Sequence, residues 1–157
     1  VLIFVFRGEQ VLLIKGAATK KVWANRYNGL GGHIERGEDA LTAARRELAE
    51  ESGLERINLH LAGSVLIDTG AGTGIELFVF VGELENDQEL IHSIEGELAW
   101  VRMHEIDKLP AVDDLPQILS LVSQRRSPGS GLFHARYQYD AADQLEISVV
   151  EEAVPLS

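Results

Sequence analysis

A chain of 157 residues, 45% of them hydrophobic, is long enough to bury one core and predicts a single domain over residues 1–157. The formal net charge of −11 argues against a nucleic-acid polymer as partner, because phosphate backbones are bound through basic surfaces. There is no cysteine for a disulfide, and the apolar start of the chain, VLIFVF, is far too short to span a bilayer, so we expect a cytoplasmic protein without a membrane partner.

The first third of the chain predicts a hairpin, two loops and one helix. Two apolar strands flank a tight turn, RGEQ, within residues 1–16. Residues 16–27 lack periodicity and are interpreted as a loop, and a second loop rich in glycine follows, NGLGGHIERGE. Asp39 is placed to cap a helix that runs to about Ser52, where Gly53 ends it.

The remainder predicts further strands, a second helix and a closing hairpin. Two β-rich stretches, an acidic loop and a short strand follow one another at residues 57–69, 75–84, 85–97 and 98–103. Apolar residues at helical spacing predict a helix within residues 113–124, DDLPQILSLVSQ. Beyond a loop of Ser, Pro and Gly, the alternating pattern of residues 132–152 predicts the hairpin.

Three glutamates near the end of the first predicted helix form an unusual cluster of charge. Glu47, Glu50 and Glu51 lie where the negative pole of the helix dipole and their mutual repulsion both disfavour them. Helical geometry places them on one face, within about 100° of one another, beside the small Ala40 and Ala43. Hard oxygen donors of this kind suit Mg²⁺ or Mn²⁺, which bind substrate phosphates directly. A merely solvated helix face is the alternative.

The residues around this cluster match a known signature. Residues 32–54 read G-x5-E-x7-R-E-U-x-E-E-x-G-U, where U is a bulky aliphatic residue. Every fixed position is met, by Gly32, Glu38, Arg46, Glu47, Leu48, Glu50, Glu51, Gly53 and Leu54. By this motif the chain resembles the Nudix (MutT-type) hydrolases.

That resemblance implies a fold, an activity and a cofactor. The fold is α/β, a Nudix-type α/β/α sandwich with a mixed sheet and a loop–helix–loop catalytic motif. The activity is hydrolysis of a pyrophosphate bond in a nucleoside diphosphate linked to another moiety. The cofactor is Mg²⁺, for which Mn²⁺ can substitute, and the partner is a small nucleotide. A protein of net charge −11 can bind such a polyanion because the metal inverts the sign of the pocket.

The resemblance also implies roles for single residues. The expected metal ligands are Glu47, Glu50 and Glu51. Arg46 is expected to pair with a carboxylate, Glu50 being in reach four positions on, and Glu38 to position the helix through Arg46 or a metal-bound water. Gly31 and Gly32 let the backbone come close to the phosphates.

The general base has two candidate locations. Some members of the family draw it from the signature helix, which here offers Glu50. Others use a glutamate on a later loop, and SIEGELAW offers Glu95 and Glu97, for which loop solubility is an equal explanation. We place Glu50 first, as ligand and base, and Glu97 as the loop candidate. The catalytic set expected from the resemblance is therefore Glu47, Glu50, Arg46 and Glu97.

Beyond the signature, the chain resembles the oxidised-purine nucleoside triphosphatase branch of the family. YNGLGGHIERGE, which includes Asn28, fits the branch's approach to the signature, and VDDLPQIL puts Asp113 and Asp114 where the branch reads the purine edge. If one carboxylate is protonated, it donates a hydrogen bond while the other accepts. The aspartates also precede a predicted helix, so capping explains them equally well. The branch's stacking Trp is replaced by Ala111.

Several alternatives stay open at this point. Trp23 or Tyr27 can supply a stacking face instead of residue 111, or can pack in the core. The substrate can be ADP-ribose, a dinucleoside polyphosphate or an ordinary nucleoside triphosphate. A Nudix-fold binding module without catalysis is disfavoured, because such proteins usually lose signature carboxylates and none is lost here. A structural Ca²⁺ helix is weaker still, because Ca²⁺ favours loops with six or more oxygen ligands.

Overall fold

The computed structural model describes residues 1–152. These residues form nine strands, two α-helices and one 3₁₀ helix. The strands are β1 (Leu2–Arg7), β2 (Gln10–Gly16), β3 (Tyr27–Asn28), β4 (Leu30–Gly31), β5 (His60–Asp68), β6 (Gly74–Glu83), β7 (Gly96–Arg102), β8 (Phe133–Tyr139) and β9 (Leu145–Glu151). The α-helices are α1 (Ala40–Ser52) and α2 (Leu115–Ser123), and the 3₁₀ helix spans Met103–Lys108.

All nine strands belong to one mixed sheet. Its main path runs β3-β2-β1-β6-β5-β8-β9, with β4 paired to β1 and β7 paired to β2. The pairs β1/β6 and β5/β8 are parallel, and the other pairs are antiparallel. Side chains alternate between the two faces of the sheet along each strand. Both faces of the central strand β1 carry apolar side chains. On β1, Phe4 and Phe6 belong to one buried cluster, whereas Ile3 and Val5 belong to the other.

One α-helix covers each face of the sheet. Helix α1 buries Ala43, Ala44 and Leu48 in the cluster that contains Ile3. Helix α2 buries a longer apolar stripe in the cluster that contains Phe4. The α/β/α sandwich with a mixed sheet, predicted through the family resemblance, is therefore confirmed.

The ends of α1 fall where the sequence predicts them. Asp39 is the N-cap residue, and its carboxylate accepts a hydrogen bond from Thr42 N at 2.9 Å. Gly53 ends the helix at φ +75°, a left-handed conformation that glycine adopts without strain, and its N–H donates to Ala49 O. The last turn contains no basic residue, and the glutamates near the negative pole are contacted from earlier on the same helix, by Arg46.

The hairpins are confirmed, and several element boundaries differ from the prediction. Strand β7 begins at Gly96, so Glu97 lies on a strand and not on the acidic loop. The segment is extended because it pairs with β2 along its full length, from Gly96 opposite Gly16 to Arg102 opposite Gln10. Local sequence does not reveal such a distant partner, and the same holds for β3 at the end of the first loop. Across residues 1–152, none of the helices is long and apolar enough to cross a bilayer.

Candidate active site

A pocket of about 720 Å³ lies beside the C-terminal half of α1. Its lining joins four parts of the chain: the loop between β2 and β3, the glycine-rich loop, helix α1 and the loop before β7. The residues that concern its chemistry are Lys20, Gly31, Gly32, Glu47, Glu50, Glu51 and Glu95. The fold thus brings the three signature glutamates, both predicted glycines and one loop glutamate to the same cavity.

Arg46 organises the acidic side of this pocket. Its Nε and Nη2 donate to the two carboxylate oxygens of Glu38, at 2.7 and 2.9 Å. Its Nη1 donates to Glu47 at 2.9 Å and to Glu50 at 3.3 Å, while Nη2 also reaches the carbonyl oxygen of His33 at 3.1 Å. The hydrogen bonds from Arg46 hold the pKa of Glu38 down at about 2. Both contacts expected of Arg46, with Glu38 and with Glu50, are present.

Glu51 is a buried carboxylate held by backbone. Only 7% of the residue is exposed, and its Oε2 accepts a hydrogen bond from Gly31 N at 2.8 Å. Gly31 has φ +144°, and a Cβ there would overlap the carbonyl oxygen of Val1, so glycine is required. Burial raises the pKa of Glu51 to about 7, and the nearby charges of Glu47 and Glu95 add to this effect.

Gly32 makes room for Glu47. A Cβ at position 32 would overlap the carboxylate of Glu47. The φ angle of Gly32 is not positive, so the glycine is needed for space and not for conformation. The space beside the backbone that Gly32 leaves is therefore occupied by the Glu47 carboxylate.

The three signature glutamates offer a donor set that fits a divalent cation, and in this structure each carboxylate has a different set of contacts. Within the described residues no three His, Asp or Glu side chains form a ready-made metal site. Arg46 engages Glu47 and Glu50, while Glu51 faces Gly31. The Glu50 side chain is 60% exposed and its 3.3 Å contact with Arg46 is the longest of that network, so Glu50 has freedom to turn. Hard carboxylate oxygens suit Mg²⁺ or Mn²⁺, and the assignment of ligands stays a prediction.

The two loop candidates for a base lie in different places. Glu95 lines the carboxylate pocket, where it forms an ion pair with Lys20. Glu97 is opposite Lys15 in the sheet and lines a neighbouring cavity of about 650 Å³. The geometry therefore favours Glu95 over Glu97 as the loop carboxylate of this site.

Asp113 and Asp114 lie outside the carboxylate pocket, just before α2. Arg26 Nη2 donates to Asp113 Oδ1 at 2.5 Å. Asp114 occupies the N-cap position of α2, but its side chain makes no capping hydrogen bond and instead accepts one from the hydroxyl of Tyr137 at 2.9 Å. Capping therefore does not explain Asp114. A role in purine recognition stays a prediction for both aspartates.

The other candidate substrate contacts are Trp23, which lies at the carboxylate pocket, and Tyr27 and Asn28, which lie on β3. Trp23 lines the carboxylate pocket, with the Lys20 ammonium 4.9 Å from its ring centroid. Tyr27 packs at the edge of the core, where it pairs with Ala111 through a parallel bridge. Asn28 lies next to Tyr27 on β3, and its Oδ1 accepts a hydrogen bond from Gly29 N at 2.8 Å.

Three side chains at these sites were not singled out from the sequence. Lys20 and Arg26 are basic residues of a loop without periodicity, so nothing local marks the carboxylates that they contact. Tyr137 follows the alternating pattern of β8, which predicts that it is buried. Its polar partner, however, is 23 positions away, and only the tertiary structure reveals it.

Comparison with known proteins identifies the family. The family model for the NUDIX domain matches residues 1–122. The chain is 32% identical over 113 residues to an uncharacterized Nudix hydrolase of Bacillus subtilis (strain 168), with 69% of each chain covered. It is 30% identical over 118 residues to the oxidized purine nucleoside triphosphate hydrolase of Mus musculus, covering 73% of this chain and 70% of that protein. The structure of a MutT protein from Bacillus halodurans superposes with a TM-score of 0.75 at 25% identity, over 94% of both chains.

The family model covers the signature, the carboxylate pocket and most of α2. The extension of one domain to residue 157 stays a prediction, and residues 153–157 lie outside the described part of the chain. The chain belongs to the NUDIX family and is a Nudix pyrophosphohydrolase.

Proposed function

We propose that this protein is a Mg²⁺-dependent hydrolase of purine nucleoside triphosphates, including oxidised purines, which it converts to the monophosphate and pyrophosphate. The observation that carries the proposal is the carboxylate pocket, in which Glu47, Glu50 and Glu51 lie beside the glycine backbone of a NUDIX domain. Hydrolysis adds one water across the bond between the α- and β-phosphates. The partner is a small nucleotide and not a nucleic-acid polymer, in keeping with a net charge of −11.

Glu47, Glu50 and Glu51 are proposed as the metal ligands. A bound Mg²⁺, or Mn²⁺ in its place, would neutralise charge on the phosphate oxygens and lower the pKa of a water. Arg46 donates to Glu47 at 2.9 Å, which fixes the orientation of that carboxylate, and it contacts the exposed Glu50 at 3.3 Å. Gly31 and Gly32 are proposed to let phosphate groups approach the backbone, which in this structure faces the carboxylates of Glu51 and Glu47.

A carboxylate is proposed to take the proton of the attacking water. Glu50 is the first candidate, since it lies in the pocket and is exposed to solvent. Glu95 takes the place that the sequence assigned to Glu97, because Glu95 shares the pocket with the signature glutamates. Proton transfer to such a group contributes roughly 10²–10⁴-fold to catalysis. Lys20 forms an ion pair with Glu95 and is proposed to contact a substrate phosphate when that pair opens.

The purine part of the proposal rests on a second set of observations. The mouse relative is named for oxidised purine nucleoside triphosphates and aligns over 73% of this chain. Arg26 contacts one oxygen of Asp113, and Tyr137 contacts one oxygen of Asp114. The other oxygen of each carboxylate is proposed to contact the purine. Asn28 is proposed to contact the substrate from β3.

One feature favours a second candidate substrate. Ala111 stands where the oxidised-purine branch has its stacking Trp, so the base lacks that partner. The replacement supports a substrate whose binding does not depend on that Trp, and the candidates are ADP-ribose and a dinucleoside polyphosphate. Catalysis at the carboxylate pocket would be the same for each of these substrates.

The test is product analysis over a panel of substrates. The protein is incubated with Mg²⁺ and, separately, 8-oxo-dGTP, dGTP, ADP-ribose and diadenosine tetraphosphate, and the phosphorus products are identified by ³¹P NMR. The proposal expects monophosphate and pyrophosphate from the two purine triphosphates, with no turnover in excess EDTA. Release of orthophosphate instead of pyrophosphate, turnover of ADP-ribose alone, or unchanged turnover in EDTA contradicts it.

A further inference from the structure

The lining of the carboxylate pocket contains a single lysine among several glutamates. In residues 1–152, Lys20 is the only Lys or Arg that lines this pocket, together with five acidic residues, Glu35, Glu47, Glu50, Glu51 and Glu95. Of these five carboxylates, the structure pairs the Lys20 ammonium with that of Glu95. The partner that Lys20 takes therefore decides whether Glu95 is free to act with the signature glutamates.

The ring of Trp23 fixes the place of the Lys20 ammonium. Nζ of Lys20 lies 4.9 Å from the ring centroid, within range of a cation–π interaction. The ring is packed tightly against the end of β2, where a Cβ at Gly16 would stand 2.5 Å from its Cε3 atom. On its other side Trp23 packs against the buried cluster that α1 covers. Lys20 is therefore held between a packed aromatic face and Glu95.

Backbone hydrogen bonds join the two loops that carry this ion pair. Ala17 N donates to the carbonyl oxygen of Glu95 at 3.1 Å, and Lys20 N donates to that of Ala17 at 2.9 Å. Glu95 N in turn donates to Ser93 Oγ at 3.2 Å. None of these bonds involves the ammonium or the carboxylate of the pair. The two side chains can therefore separate while the loops keep their places.

A substrate phosphate is a strong competitor for the Lys20 ammonium. The Lys20 side chain is 28% exposed and that of Glu95 is 42% exposed, and ion pairs as accessible as this one contribute little net stability. A polyphosphate offers several charged oxygens to the same ammonium. Once Lys20 takes a phosphate as its partner, Glu95 is left as a further hard oxygen donor in the pocket, of the kind that suits a divalent cation.

We propose that Lys20, held on Trp23, is a positioning residue that occupies Glu95 until a substrate phosphate takes the ammonium, and that this exchange releases Glu95 to the carboxylate set of the pocket. Nucleotide binding is thereby coupled to completion of the site. The inference rests on the proposed function, because it needs a pocket that binds both a divalent cation and phosphates. It goes beyond that function by giving the order in which the carboxylates become available.

The test is Mn²⁺ binding in the absence of nucleotide, measured by electron paramagnetic resonance of free Mn²⁺ in the wild type and in Lys20→Met. Methionine cannot pair with Glu95, so the affinity for Mn²⁺ is expected to rise about tenfold, the size of effect usual for residues that control a ligand. KM for dGTP is expected to rise as well, because the phosphate loses its lysine. Lys21→Met is the matched control, since Lys21 is the exposed neighbour and should change neither quantity.

A double-mutant cycle separates this role from the plain loss of a positive charge, which by itself favours cation binding. If Lys20 acts by holding Glu95, Lys20→Met gives no gain in affinity when Glu95→Gln is already present. Plain electrostatics predicts the same gain in both backgrounds.

Trp23→Leu tests the aromatic support, because it keeps the charge of Lys20 and removes the ring beneath it. The affinity for Mn²⁺ is expected to rise, by a smaller factor than in Lys20→Met. Trp100→Leu is the control, because Trp100 packs against the same buried cluster and lies under Arg7 instead of Lys20. Its affinity should equal that of the wild type.

Three results overturn this inference and leave the proposed hydrolysis intact. They are equal Mn²⁺ affinity in the wild type and a folded Lys20→Met, a gain of the same size with and without Glu95→Gln, and an unchanged KM for dGTP in Lys20→Met. A wild type that binds no Mn²⁺ overturns both the inference and the proposed function.

Discussion

Arg46 binds Glu38 through two parallel hydrogen bonds of 2.7 and 2.9 Å, and this pair ties the middle of α1 to the loop that precedes it. The two residues are eight positions apart, and the whole first turn of the helix lies between them. Because the same guanidinium also contacts Glu47 and Glu50, the pair sets the orientation of two proposed metal ligands without itself facing the pocket. Disruption of the Arg46–Glu38 pair should therefore lower the rate of catalysis.

Arg46→Lys is expected to lower kcat/KM by about tenfold or more, since residues that orient metal ligands usually have effects of this size. Lysine keeps the charge but cannot make the forked contact with Glu38 and reach Glu47 at the same time. Arg45→Lys is the control, because Arg45 is the exposed neighbour on the same turn. Steady-state kinetics of both variants, with circular dichroism to confirm folding, measure the effect. Equal activity in the two variants would contradict the organising role of Arg46.

Gly32→Ala is expected to reduce kcat about tenfold or more with a modest change in thermal stability. The new Cβ overlaps the Glu47 carboxylate, which must move, and a displacement of about 1 Å in a catalytic group can cost up to 10²-fold in rate. Gly37→Ala should behave in the opposite way. Its φ of +91° makes any side chain strained, yet no atom stands within 4 Å of a Cβ there, so stability falls while the folded enzyme keeps its activity.

Sequence reasoning predicts helix α1 of this protein almost completely. The caps Asp39 and Gly53 use local chemistry, and the spacing of Glu47, Glu50 and Glu51 follows from helical geometry, so both are contained in a short stretch of residues. The sheet is predicted in part, since the alternation along β1 shows burial on both faces but not the parallel partner β6. Its order depends on pairings between residues far apart in the chain.

The contacts that complete the candidate sites could not be predicted for the same reason. Lys20 meets Glu95 across 75 positions, and Arg26 meets Asp113 across 87. Glu95 and Glu97 stand in the same acidic stretch, and the sequence prediction names Glu97. Only the pairing of β7 with β2 shows that Glu95 is the one that reaches the pocket. Contacts between residues so far apart in the chain produce no periodic pattern in the sequence from which they could be predicted.

Glu50→Gln and Glu51→Gln are each expected to lower kcat by about a hundredfold or more, as loss of a proposed ligand or base does. Folding should survive in both variants, because removal of one charge relieves repulsion at the end of α1. Steady-state rates and thermal melts of the two variants test this together. Near-normal activity in both would show that the ligands have been assigned wrongly.

The stability of the metal-free protein should depend on pH through Glu51. Its pKa is about 7 in the folded protein against an ordinary value of 4.5, so its carboxyl group is uncharged in the native state over a range where the unfolded chain is ionised. The resulting contribution to the free energy of unfolding is fully present below about pH 4.5 and is lost as pH rises through about 7, by at most about 3 kcal/mol. Glu51→Gln should remove this part of the pH dependence, measured by urea unfolding in EDTA at pH 5 and pH 8. Glu55→Gln, which changes an exposed glutamate, should retain it.

Mn²⁺ binding in the absence of nucleotide tests the carboxylate pocket most directly. Electron paramagnetic resonance of free Mn²⁺, titrated with wild type, Glu51→Gln and the control Glu55→Gln, gives the affinity of each protein without any contribution from catalysis. The account predicts saturable binding by the wild type, binding at least about tenfold weaker in Glu51→Gln, and no change in Glu55→Gln. Equal affinities in all three proteins, or no binding by the wild type, would contradict the claim that these glutamates hold the catalytic metal.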